Sequence, residues 1–348
     1  MRSPGTGGPA RAGAAADPSA SDRARGAIWG QLVGDAACLG GHWIYDQSEL
    51  AARWPGGPRG YEAPSPGHYH AGKRPGEPTH YGAAALLLLR SVAELGRFDH
   101  VDFGRRFVDA FSSPGYRGYT DKAMRGTVQI YAAFGGDARL DAFDFQQGAD
   151  DFEPATVSRI APLVVAHRDD PELPSVVDRA TLVSQRHPRA TAHARAHAAI
   201  LRELLLGRGL ADAIAATGAA RATDDEVRTE IAAALARREE DVADVTRAFG
   251  QHCRLDQSFP SAVHAAVRHA DDFRGAILAV LAAGGDSAGR GAMVGAWLGA
   301  ALGVGAIPRE WRDRLVARAD VDADVERIVA PVIGSPVASA GGVRRRAG

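Results

Sequence analysis

The sequence predicts an all-α fold, and three observations predict it. Apolar residues recur at helical spacing through most of the chain. Runs of β-branched and aromatic residues bounded by turn residues, the signal of strands, are nearly absent. The hydrophobic share, 45% of 348 residues, suits one large helical unit; length alone also allows two domains, but the unbroken helical patterning favours one. We expect a disordered N-terminal segment over residues 1–22, which is rich in Gly, Ala, Pro and Ser, one domain over residues 23–335, and a flexible tail over residues 336–348 that ends in VRRRAG.

Taken in order, Ile28, Trp29, Leu32, Val33 and Ala36 mark a first buried helix that stops at Gly40-Gly41. Residues 51–82 then break the pattern with Pro55, Pro58, Pro64, Pro66, Pro75 and Pro78, which cannot propagate a helix. Loops of that length are functional or disordered. His68, Tyr69, His70, Lys73, Arg74, His80 and Tyr81 make this one a ligand-facing loop. GAAALLLLRSVAELG, almost purely apolar for two turns, reads as a central helix surrounded by others. VDFGRRFVDAF, AMRGTVQIYAAF, SRIAPLVVAH, ATAHARAHAAILRELLLGRG and EVRTEIAAALAR continue the helical series. The last segment is a helix, a break at GGDSAG, and a helix with Gly291, Gly295, Gly299 and Gly303 at four-residue spacing. Each glycine costs a helix about 1 kcal/mol against Ala, so another backbone must approach closely there.

A formal net charge of −1 supplies no field for a polyanion, which argues against a nucleic-acid partner. No apolar run is long enough to span a membrane, and the N-terminus lacks the apolar core of a signal peptide. Cys38 and Cys253 are too few for a disulfide framework. Together these point to a cytoplasmic protein with a small-molecule ligand; oligomeric state is not readable.

Two places put an ionisable group among small, apolar residues. GQLVGDAACLGGHWIYD carries Asp35 and His42, and GGDSAGR carries Asp286 at the start of a helix. Asp286 has an ordinary structural role open to it, as an N-cap accepting an amide of the next turn. It also has a chemical one, since exposed amides and a carboxylate at a helix start make an ion or phosphate site. His193 and His197 share a helix face, but with Arg189 and Arg195 nearby and no HExxH pattern that face reads as solvated.

GAIWGQLVGDAA, PTHYGAAALLLLRSVAE, the SRIAPL and QRHPRA segments and GGDSAGRGAMVGAWLGAALGVGAIPREW together resemble the ADP-ribosylglycohydrolases, in the family's order over roughly residues 24 to 320. The resemblance implies an all-α, single-domain helical bundle around a central cleft that holds two metal ions, usually magnesium. Where the family carries Thr-Asp-Asp-Thr, this chain has Thr79-His80-Tyr81-Gly82. Where the family carries Asp-x-Asp-Thr/Ser, it has Asp286-Ser287-Ala288-Gly289, and where the family carries Glu-Phe after the first helix, it has His42-Trp43. Magnesium requires near-octahedral oxygen donors, so the binuclear site is expected to be lost and no cofactor is expected in its place. HWIYD and THYG are similar to the J1-crystallin-like branch of the superfamily.

The resemblance places Asp35, His42, His80, Tyr81 and Asp286 at the cleft as catalytic candidates. It places Tyr116, Arg117, Tyr119, Arg159 and Ser287 as substrate-binding candidates. It implies hydrolysis of a glycosidic bond in an ADP-ribosyl or related nucleotide-derived small molecule. Two alternatives stand beside it. Rings in place of acids suit metal-independent acid–base work on a nucleotide- or nicotinamide-derived metabolite, or ligation of a borderline metal such as zinc. Loss of the ligands also suits a non-catalytic binding or structural protein, in which His42, His80, Trp43 and Tyr45 are caps and core aromatics.

Overall fold

The computed structural model describes residues 17–334, and the expectations for residues 1–16 and for the tail beyond residue 334 lie outside the described residues. The chain forms α1 (Ala20–Cys38), α2 (Gln47–Arg53), α3 (His80–Leu95), α4 (His100–Ser112), α5 (Lys122–Phe134), α6 (Ala161–Ala166), α7 (Leu173–Leu182) and α8 (Pro188–Leu205). It continues with α9 (Leu210–Ala219), α10 (Asp225–Ala236), α11 (Val242–Phe249), α12 (Leu255–Arg268), α13 (Phe273–Ala282), α14 (Ser287–Leu302), α15 (Arg309–Arg314) and α16 (Arg318–Gly334). The described residues contain no strand, only an isolated bridge between Ala149 and Gln185. No helix among them is long and apolar enough to cross a membrane.

Helix starts follow local chemistry. Ser19, Asp46, Thr79, Asp99, Asp121, Asp224, Asp241 and Asp272 each accept a first-turn amide that would otherwise lack a partner. Ser19 corrects one boundary: α1 begins at Ala20, inside the stretch whose composition suggested disorder through residue 22. The helix extends upstream because Ser19 caps it and Asp22 lies in its first turn, where a carboxylate is favoured.

The centre of the molecule is the antiparallel pair α1 and α14. Gly26 faces Gly299, Gly30 faces Gly295 and Gly34 faces Gly291, so closely that a Cβ built on Gly30 would lie 2.0 Å from the Gly295 carbonyl oxygen. Three of the four regularly spaced glycines thus meet the backbone they implied; Gly303 ends α14 with φ +79°. α3, read from sequence as central, instead keeps Leu86 and Leu87 only half-buried and leaves Leu95 45% exposed. Its four consecutive leucines cover more than one face, and only part of that surface finds a partner. The helices buried all round are α1 and α14. Around them the main apolar core runs from Ala24 to Val329, with a smaller cluster of Val108, Tyr131, Phe143 and Phe145 beside it.

The four histidines of the middle region are structural. His187 caps α8 by accepting the Arg189 amide, and His167 accepts the Phe98 amide. His193 and His197, expected on a solvated face, are buried. α8 packs against α7, α9 and α14, so the face that carries them is covered. His193 joins Glu230 at 2.8 Å, and His197 lies beside Trp297 with neither ring nitrogen bonded. Burial drives the His197 pKa down to about 3.

Two outcomes follow. G30A or G295A drives a methyl into backbone that cannot rotate away and destabilises the fold by about 3 kcal/mol or more in denaturant unfolding. G305A, whose Cβ meets nothing within 4 Å, is the near-neutral control. His197 stays neutral in the fold while the unfolded chain takes up a proton near pH 6.5, so its contribution is intact above that pH and falls away as pH drops toward about 3. H197L removes this loss, and its unfolding midpoint gains on wild type with acidification over that window.

Candidate functional site

The glycine seam brings the C-terminal end of α1 beside the N-terminal end of α14. After the 3-10 turn Leu39–Gly41, the chain runs across the break that precedes α14. The Trp43 amide donates to the Gly285 carbonyl and the Gly285 amide to the Ile44 carbonyl, each at 2.7 Å, while the Asp286 amide donates to Gln251. Gly284 and Gly285 both lie at positive φ, +72° and +64°. Trp43 shares that region at φ 64°, a conformation that costs a bulky residue on the order of 1–3 kcal/mol. Its indole N–H, 3.0 Å from the Cys253 sulfur, helps hold it there.

The proline-rich loop is anchored against the bundle. The Tyr61 amide donates to Ala37 and the Val316 amide to Gly76. The chain passes so close to α15 that a Cβ on Gly60 would lie 2.7 Å from the Trp311 ring. The loop delivers His70 to the site, with His68 behind it: the His68 ring meets the His42 carbonyl at 2.5 Å and accepts the His70 amide at 3.0 Å. It ends at Thr79, whose hydroxyl caps α3 and whose amide and hydroxyl both bond Asp35.

Three imidazoles meet at the centre. His42, His70 and His80 are all buried, and one ring nitrogen from each lies within 4.8 Å of the other two, so the group could hold a metal ion. Their rings lie 5.5–5.9 Å apart. Two carboxylates flank them: Asp286 Oδ1 lies 3.7 Å from His42 Nδ1, and Asp121 Oδ2 lies 3.6 Å from His80 Nε2. Neither contact is a hydrogen bond, and both oxygens of Asp286 and Oδ2 of Asp121 have no partner. Trp43 and Tyr119 cover the rings toward solvent, and Tyr69, 69% exposed, stands over them.

Burial dominates the electrostatics. It pushes the pKa of Asp286 up to about 7 against the pull of the Arg290 guanidinium. It raises Asp35 to about 6 against the Thr79 hydrogen bonds, and Asp121 to about 6 against the Met124 amide. Glu153 reaches about 8 through burial and the nearby charges of Asp151 and Asp121. His42 and His80 fall well below the ordinary imidazole range through burial and then the neighbouring His70; His70 falls to about 3 through burial and then Lys73. The site holds neutral rings among carboxyls poised near neutrality.

Most of the sequence candidates gather here. Asp286 begins α14 but caps no amide with its side chain; His42 Nδ1 accepts the Ala288 amide at 3.3 Å instead. Ser287 is buried with a free hydroxyl, and Tyr81 packs on His80 with centroids 3.9 Å apart. Both carboxylate oxygens of Asp35 accept from Thr79, one from its amide and one from its hydroxyl. Tyr119 reaches the rings, while Tyr116 supports it through a hydroxyl bond to its carbonyl. Arg117 is exposed. Arg159 is buried, with its guanidinium bonded to Ala155, Thr156, Ala180 and Ser184. His70, Trp43 and Cys253 were not among the candidates. His70 carried a signal as one of several rings in the loop, but nothing in its spacing distinguished it from His68. A cavity of about 980 Å³ between α7, α8 and α9 includes none of these residues. Its Arg195 and Arg208 are already paired with Asp178 and Glu203.

The Thr79 hydroxyl serves two buried partners at once. T79V removes the α3 cap and one donor to Asp35, and lowers stability by about 2 kcal/mol in chemical denaturation. T79S restores most of it.

These features agree with what comparison with known proteins finds. A family model described as ADP-ribosylglycohydrolase matches residues 16–336. Crystallin J1A of Tripedalia cystophora is 25% identical over 311 residues, 85% of this chain and 92% of that protein. Crystallin J1B of the same organism is 25% identical over 317 residues, 86% and 94% of the two chains. A solved structure of an "ADP-ribosylglycohydrolase-related protein complex" superposes with a TM-score of 0.68 at 25% identity, covering 89% of this chain and 98% of that one. With the match running through nearly the whole helical bundle, the chain belongs to the ADP-ribosylglycohydrolase family.

Proposed function

We propose that the protein hydrolyses a glycosidic bond of an ADP-ribosyl or related nucleotide-derived small molecule, with Asp35, His42, His80, Tyr81 and Asp286 forming the reactive cleft. One observation carries this reading: the Asp286 carboxyl is fully buried and neither of its oxygens makes a well-formed hydrogen bond, with the Gly289 amide, the Tyr81 hydroxyl and the Cys253 thiol standing near it. An unpartnered buried carboxyl is costly to keep, and glycoside cleavage uses one. The bond breaks through an oxocarbenium-like state that needs a nearby anion, a proton for the leaving group and a positioned water. Asp286 supplies the carboxyl, and its charge, with those of Asp151 and Asp121, acts on Glu153. The overlying Trp43, Tyr69 and Tyr119 offer flat apolar faces to a heterocyclic base. Tyr116 braces Tyr119 through its hydroxyl, and Ser287 offers a buried, unbonded hydroxyl next to Asp286.

The family's magnesium pair does not fit this donor set. Asp35 is engaged by Thr79, and beside Asp286 and Asp121 the groups that converge are three imidazoles, whose nitrogens magnesium accepts poorly. No step of the proposed reaction runs through magnesium. The names of the Tripedalia relatives favour a second reading, a binding or structural protein without turnover.

Purified full-length protein incubated with an ADP-ribosylated protein is expected to release free ADP-ribose, read by chromatography. D286N lowers kcat/KM by about 100-fold or more while its unfolding midpoint shows the fold intact. Absence of release both with and without added magnesium supports the second reading and overturns the first.

A further inference from the structure

We propose that His42, His70 and His80 bind a single borderline divalent transition ion of the zinc type, with Asp286 and Asp121 as the outer carboxylates that orient two of the rings. The inference goes beyond the glycosidic reaction and does not depend on it. Burying an imidazole whose nitrogens find no partner costs about 1–3 kcal/mol per unsatisfied group. Here Nε2 of His42 and both ring nitrogens of His70 and His80 are buried and unbonded. Three such rings lie together, each with one nitrogen within 4.8 Å of the others. Small ring rotations close that spacing onto a common centre at the Zn–N distance of about 2.0–2.1 Å. One ion satisfies a nitrogen on every ring at once.

The outer contacts point the same way. A histidine bound to a metal through one nitrogen commonly presents the other N–H to a carboxylate. Asp286 Oδ1 faces His42 Nδ1 at 3.7 Å and Asp121 Oδ2 faces His80 Nε2 at 3.6 Å. Both oxygens are without partners. His42 Nδ1 accepts the Ala288 amide, which puts its proton on Nε2. Ligation through Nε2 moves the proton to Nδ1 and turns that edge toward Asp286. The charge closes as well: two buried carboxylates offset a divalent ion held by three neutral rings. Imidazole nitrogens select zinc, cobalt, nickel or copper over magnesium.

The test uses full-length protein stripped with a chelator and offered Zn²⁺, Co²⁺ or Mg²⁺ alone. Elemental analysis after gel filtration is expected to find one zinc or cobalt per chain and no retained magnesium, and Co²⁺ is expected to show the visible bands of a low-coordinate nitrogen site. H70A, which removes a ring that makes no hydrogen bond through its own nitrogens, weakens Co²⁺ affinity by about 100-fold or more. D121N weakens it by about 10–100-fold. Retention well below one ion per chain overturns the proposal, as does an ion held equally by wild type and H70A. Should H70A fail to fold, X-ray absorption on zinc-loaded wild type decides: three imidazole nitrogens around the ion support the site, and a shell of oxygen or sulfur donors overturns it.

Discussion

The structure depends on the contact between two backbones. Gly26, Gly30 and Gly34 on α1 lie against Gly299, Gly295 and Gly291 on α14, with room for hydrogen only. Glycine weakens each helix taken alone; the close approach recovers that loss through dispersion between main chains and through the surrounding core. Because the helices run antiparallel, the seam fixes which ends meet. The last turn of α1 with the short 3-10 turn that follows it, and the residue that begins α14, then carry Asp35, His42 and Asp286 into one region.

Much of this was legible in the residues. The four-residue glycine spacing required a backbone partner, and the pairing of acids with small residues marked Asp35 and Asp286 as unusual. The break at Gly284-Gly285 announced the turn that now pairs with Trp43 and Ile44. The long proline-rich segment was readable as an ordered, ring-bearing loop because a mere linker has little use for so many imidazoles and phenols.

What was not legible has a common cause: it depends on which distant surfaces meet. His193 and His197 have the spacing of a solvated pair, and only the packing of α8 against its neighbours buries them. The leucines of α3 look central because their sequence is uniform, yet centrality belongs to the helices whose small residues let partners in on every side. His70 could not be separated from His68 by position, since the loop's path decides which ring faces His42. Arg159 kept the place that the family resemblance gave it in the chain, but its guanidinium is occupied by carbonyls and hydroxyls around it.

The antiparallel seam also gives the cleft a direction. The carboxyl pole of α1 and the amino pole of α14 stand side by side at the same end of the bundle. Helix macrodipoles make the first of these regions favourable to positive charge and the second to negative charge. A guest that carries an anionic group at one end and gathers positive charge at the other is therefore oriented by the scaffold's own field, before any individual side chain touches it.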